Sequence, residues 1–255
     1  MSKEQFIAFP EEYTRRELNA RYREIPLKDT ASRLLRKYFN AMANLYGIIP
    51  LHKAKEILFS LSPKLVTEDE FLAFTEIARH EYEGYYILGG DELYTDVRHT
   101  KPLDREIIDV TMIDESIDLF IETKRRQQDK PYYVPDKKHL LEYEDPFYCE
   151  DTPEKCRLRT FLKERCNLSD ARETVVFEEL LYGVRSVAVQ PSDVFGHLEK
   201  LGVRFKSQRD VERFSALYSA FHNTTRMPCN RGYTPDEMMQ MTPPEERFKS
   251  LSLGP

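Results

Sequence analysis

The stretch TEDEFLAFTEIARHEYEGYYILGGDELY (residues 67–94) decides how the chain reads. Thr67 followed by Glu70 is a capping box: hydroxyl and carboxylate each satisfy a backbone N–H at a helix start. Phe71, Phe74, Ile77 and Ala78 then recur at three- and four-residue steps, one face of a helix. After Gly84 the period shortens. Tyr85, Tyr86, Ile87 and Leu88 read as a strand, and Gly89-Gly90-Asp91 before Glu92-Leu93-Tyr94 predicts a β-hairpin.

Upstream, Asp29 and Thr30 introduce Leu34, Leu35, Tyr38, Phe39, Met42 and Leu45, an amphipathic helix that Gly47 can end. Ile48-Ile49 is a short apolar strand. Pro50 opens a further helix with Leu51, Ala54, Leu58 and Leu61 on one face, and Pro63 closes it. Helix, short strand, helix, helix, hairpin is the order of a winged helix. Residues 25–100 are therefore expected to form a winged-helix-like domain, preceded by a charged helical arm over 1–24 in which Arg15, Arg16, Arg21 and Arg23 mix with Glu11, Glu12, Glu17 and Glu24.

Val97 to Pro102 reads as a linker. Beyond it an all-helical domain is expected over 101–245, with a tail at 246–255. Its first helix starts at Asp104 and carries Ile107, Ile108, Val110 and Met112; Ile117, Phe120 and Ile121 continue the apolar face toward Lys124-Arg125-Arg126. Asp136, Thr152, Ser169, Ser192, Ser207 and Thr234 are candidate N-caps of later helices. The fold class is thus mainly α.

Composition bounds the function. With 255 residues, 40% hydrophobic and 32% charged, the chain can bury a core under a charged surface. A net charge of −6 does not favour nucleic acid or an anionic membrane as the main partner. No apolar run approaches the length of a membrane span, and Pro10 ends Phe6-Ile7-Ala8-Phe9 too early for a secretory signal. A cytoplasmic location is expected, with Cys149, Cys156, Cys166 and Cys229 as thiols; none forms a CxxC pair. Neither GxGxxG, GxxxxGK, GxSxG nor HExxH occurs, so no cofactor and no catalytic residue is assigned.

Three groups of residues remain. Residues 65–96 hold nine acids against Arg79 alone, a net of −8. A duplex-reading winged helix needs Lys or Arg on its third helix to meet phosphate. Here Glu68, Asp69, Glu76, Glu81 and Asp91 would instead dock a protein with a basic surface; the plainer reading is an acidic skin. Near the C-terminus, Arg204, Lys206, Arg209, Arg213, Arg226 and Arg231 form a basic patch with Phe205, Phe214, Tyr218 and Phe221 interleaved, an alternative surface for nucleic acid. The four- and three-residue spacing of Phe214, Tyr218 and Phe221 fits a buried helix face better than a stacking platform. Finally, His139 precedes Glu142, Glu144, Asp145, Cys149, Glu150, Asp151 and Glu154, and a divalent-metal enzyme is the third reading. These acids do not share a helical face, and Pro146 interrupts them, so no metal ligand is assigned.

The run Asn223-Thr224-Thr225-Arg226 with Asn230-Arg231-Gly232-Tyr233-Thr234-Pro235-Asp236-Glu237-Met238, together with Asn44 to Pro50 and Tyr85 to Gly89, resembles a group of uncharacterised bacterial proteins, mainly from Firmicutes. Many of these carry a C-terminal SEC-C zinc motif. No such motif follows Ser250 in this sequence, so zinc binding does not carry over, whether the motif is absent from this member or was truncated away; what the resemblance implies is an architecture.

Overall fold

In a computed structural model, residues 7–187, 189 and 193–243 are described; the expected cap at Ser192 and the tail at 246–255 lie outside the described residues. The architecture is mainly helical with one small sheet, and the chain divides into two compact units. The first unit takes in residues 1–124 and 134–148, the second 125–133 and 149–255.

The first unit is organised on α2 (Asp29–Tyr46), whose Leu35, Tyr38, Phe39, Met42 and Leu45 are buried. Gly47 ends α2 with φ of 68°, a backbone angle that L side chains rarely adopt. The chain then runs through β1 (Ile48–Pro50), α3 (Leu51–Leu61) and α4 (Glu68–Ala78) into β2 (Tyr85–Leu88). Both capping-box bonds of Thr67 and Glu70 are present at the start of α4. Phe39 is fully buried, and its ring sits 5.8 Å from Phe71 and 5.6 Å from both Phe74 and Tyr85. It joins α2, α4 and β2 in one aromatic cluster.

Two expectations fail here. Glu92-Leu93-Tyr94 does not return as a hairpin strand. The Glu92 carboxylate accepts the Gly89 N–H at 2.8 Å and winds Gly90–Leu93 into a helical turn, α5. The strand that pairs with β2 is β3 (Glu106–Asp109), in the segment expected to be a helix. β3 lies centrally in an antiparallel sheet of order β1-β3-β2. Ile108 faces Ile48 and Tyr86, and Ile107 faces Ile49 and Ile87. A central strand with both isoleucines buried shows no alternation, and its partners are distant in sequence. The sheet consequently extends past residue 100, and Val97 to Pro102 belongs to the β2–β3 connection rather than to a linker. After α6 (Thr111–Asp114), the chain leaves the first unit inside α7 (Ile117–Gln127) and returns to it for α8 (Lys137–Glu142).

Among the described residues, the second unit contains helices and no strand: α9 (Pro153–Arg165), α10 (Asp170–Arg185), α11 (Val194–Lys200), α12 (Gln208–Thr224) and α13 (Pro235–Met241). Thr152, Ser169, Ser207 and Thr234 cap four of them through side-chain oxygens, as their positions predict. Phe214, Tyr218 and Phe221 line the buried face of α12.

Phe39→Ala removes the ring shared by α2, α4 and β2. It is expected to destabilise the first unit by about 3–5 kcal/mol. Denaturant unfolding followed on Tyr fluorescence measures this, and a loss below about 1 kcal/mol would show that the cluster is not the core.

Candidate functional site

On α4, the exposed positions are Glu68, Asp69 and Glu76. All three are acidic. Phe71, Phe74, Thr75, Ile77 and Ala78 turn into the core. Glu68 pairs with Lys55 of α3 at 2.6 Å, and Glu76 pairs with Arg105. Their side chains remain 53% and 45% exposed, so both stay reachable.

Glu81 and Asp91, expected on the same surface, are otherwise engaged. The Glu81 side chain is 7% exposed. Its two oxygens accept from Arg36 Nε at 2.8 Å and Nη2 at 2.5 Å, a bidentate pair. Arg36 also donates to Ser32 Oγ at 2.8 Å, and its guanidinium lies over the rings of Tyr22 and Phe74. Burial, and then the Glu81 charge, push the Tyr22 phenol well above its ordinary range. Asp91 is half-buried beside Thr100, whose Oγ1 accepts the Asp91 N–H at 3.1 Å. Burial raises the Asp91 carboxyl, but hydrogen bonding with Thr100 and the backbone outweighs it and holds the group below its usual value.

An N-terminal segment covers the far end of α4. In α1 (Arg15–Glu24), Tyr22 lies 5.8 Å from Phe74. Tyr13 stacks on His80 at 4.0 Å and donates its N–H to the His80 carbonyl at 3.0 Å. Thr14 and Glu17 cap α1 reciprocally.

The basic patch separates into two kinds of residue. Arg204, Lys206, Arg209 and Arg213 are exposed, and among the described residues none of them pairs with a carboxylate. Phe195, 36% exposed, contacts Phe205 at 5.9 Å at the edge of a ring cluster with Phe161 and Phe214. Arg226 and Arg231 are part of the fold instead. Arg226 is 9% exposed, bonded to Glu150 at 2.7 Å and Glu237 at 2.9 Å, with its guanidinium 3.4 Å from the centre of the Tyr133 ring. Arg231 has φ of 49°, donates to the Lys130 carbonyl and lies over Tyr132. Sequence reasoning missed this arginine node, although Arg226 in a capping-box context, Thr234 with Glu237, is its visible trace.

The carboxylates around His139 are held by separate partners. His139 Nδ1 meets Asp136 at 2.6 Å, Glu142 accepts from Tyr148, and Asp151 pairs with Lys155. Glu144 pairs with Lys37, Glu150 with Arg226, and Glu154 with Arg157. Among the described residues no group of three His, Cys, Asp or Glu could hold a metal ion. Cys149 is buried, and burial raises its thiol above the ordinary value, against nucleophilic use. No described helix is long and apolar enough to cross a membrane.

Compared with family models, with curated proteins and with solved structures, the chain matches none.

Asp210, 3% exposed, tests the electrostatics of the basic face. Hydrogen bonds from Ser207 and then Arg165 hold its carboxyl below the usual value. A depressed carboxyl stabilises the fold above its unfolded value of about 3.9 and loses that contribution as pH falls through its folded value. Asp210→Asn is therefore expected to lower Tm at pH 7 and to differ less from the wild type near pH 3. An equal deficit at both pH values would contradict this.

Proposed function

We propose that the protein is a binding protein whose first unit is a winged helix turned to protein docking. The element order α2-β1-α3-α4-β2-α5-β3, with strand order β1-β3-β2, supports the winged-helix reading, the α5 turn lying in the β2–β3 connection. In that arrangement α4 takes the position of the helix that enters a DNA major groove. One observation carries the docking reading: every exposed side chain of α4 is acidic. A face of Glu68, Asp69 and Glu76 repels a phosphate backbone and complements Lys and Arg on a protein surface. Exposed ion pairs such as Glu68–Lys55 are worth little, about 0–1 kcal/mol. A basic partner can exchange for them. Glu81 drops out of the surface because it bonds internally, and the half-buried Asp91 is engaged with Thr100. Four free thiols fit a cytoplasmic location.

The test is capture of partners by the full chain, compared with the triple variant Glu68→Lys, Asp69→Lys, Glu76→Lys at equal Tm. Loss of the captured partner, with association that slows as salt rises, is the expected result. Unchanged capture by the triple variant would overturn the reading.

A second reading rests on the exposed, unneutralised Arg204, Lys206, Arg209 and Arg213 beside Phe195. Cations with an accessible ring suit a single-stranded nucleic acid. Titrating a fluorescent single-stranded oligonucleotide at low salt tests it. Salt-sensitive binding that weakens at least tenfold in Arg209→Gln, Arg213→Gln is expected; flat titrations with both DNA and RNA would eliminate it.

A further inference from the structure

Three arginines of this fold lay a guanidinium over an aromatic ring while their nitrogens bond a carboxylate. Arg36 lies 4.7 Å from the centre of the Tyr22 ring and bonds Glu81. Arg159 lies 4.8 Å from that of Phe177 and bonds Glu173. Arg226 lies 3.4 Å from that of Tyr133 and bonds Glu150 and Glu237. The ring face attracts the planar cation and the carboxylate takes its N–H groups, so each half orients the other.

A fourth set of rings and carboxylates stands on the surface of the first unit without a cation. The rings of Phe9 and Tyr86 are centred 4.8 Å apart and tilted by 45°. The Tyr86 hydroxyl donates to Asp114 Oδ1 at 2.8 Å. Burial, then Asp114, then Tyr82 and Glu12 push the Tyr86 phenol up to about 12, so Tyr82 and Glu12 also lie near it. Phe9 is 49% exposed and Tyr82 77%, and both carboxylates, Glu12 and Asp114, are exposed. Among the described residues no cation lies over Phe9, Tyr82 or Tyr86, and none pairs with Glu12 or Asp114; Arg21 lies over Tyr13 instead.

We propose that this aromatic corner binds an arginine side chain of a protein partner. The proposal rests on the protein-docking reading and names one contact of it. Exposed apolar residues scattered singly are ordinary, whereas rings grouped around unpaired carboxylates mark an interaction site. Two acids at the rim select a cation and repel a phosphate backbone. Arginine fits better than lysine: a guanidinium is weakly hydrated and stacks on a ring, whereas an ammonium is strongly hydrated and has no fork. Asp114 spends Oδ1 on Tyr86 and keeps Oδ2 for a guanidinium N–H.

Chemical-shift titration of the full chain tests the corner with the peptide acetyl-Gly-Arg-Gly-Arg-Gly-amide and its lysine and citrulline counterparts. Saturable shifts at Phe9, Tyr82, Tyr86 and Asp114 are expected, with the lysine peptide at least threefold weaker and the neutral citrulline peptide at least tenfold weaker. Asp114→Asn keeps an acceptor for the Tyr86 hydroxyl and should weaken arginine binding at least fivefold at unchanged Tm. Tyr82→Ala, which removes an exposed ring, should weaken it at least threefold. The triple variant Glu68→Lys, Asp69→Lys, Glu76→Lys should keep the shifts at the corner. Shifts confined to α4 and lost in that triple variant would overturn the corner and leave the docking face standing. Citrulline peptide bound as tightly as arginine peptide, or Asp114→Asn binding like the wild type, would also overturn it. A dimer of the chain that Asp114→Asn dissolves, with no peptide binding, would give the corner to a second copy and overturn the partner.

Discussion

The first unit depends on the guanidinium of Arg36. It stands on α2, grips both oxygens of Glu81 beyond the end of α4, and carries the Tyr22 ring of α1 on its face. Burying a charge is costly unless it is paired and hydrogen-bonded, and here Glu81 and Ser32 supply partners. The same contact has two effects. It draws the residues after α4 toward α2, and it removes an acid from the surface while α1 covers the end of α4. The outward acidity of α4 then reduces to Glu68, Asp69 and Glu76.

Arginine performs the same task three more times in the second unit. Arg159 holds the fully buried Glu173 with bonds of 2.6 and 2.7 Å. Arg165 holds Asp210, and Arg226 joins Glu150 to Glu237. Arg159 and Arg165 meet carboxylates that would otherwise be desolvated without a partner, and at Arg226 the buried partner is the guanidinium itself. Charge on this chain is therefore sorted by pairing. Arg226 is buried and shared between two carboxylates, while Arg204 and Lys206 are exposed and, among the described residues, meet none. Net charge over a window of sequence measures neither.

Local signals were legible in the sequence, and non-local ones were not. Capping boxes at Thr67 and Thr234 and the single caps at Thr152, Ser169 and Ser207 act within three residues, so their helices could be read directly. The helical periods around Phe39 and Phe214 hold for the same reason. β3 was illegible because Glu106-Ile107-Ile108-Asp109 becomes a strand only by lying between β1 and β2. Gly89-Gly90 reads as a hairpin turn until the Glu92 carboxylate reaches back to Gly89. At the candidate surfaces, residue type was visible but availability was not: Glu81 finds its partner 45 positions away, and Arg226 finds Glu150 at 76.

Everything proposed for the first unit rests on α4 presenting carboxylates and no cation to the outside. Amide hydrogen exchange of residues 67–79, with and without duplex DNA at low ionic strength, tests that most directly. An acid-faced α4 predicts the same exchange in both conditions. Slowed exchange along α4 when duplex is added, reversed by salt, would contradict it.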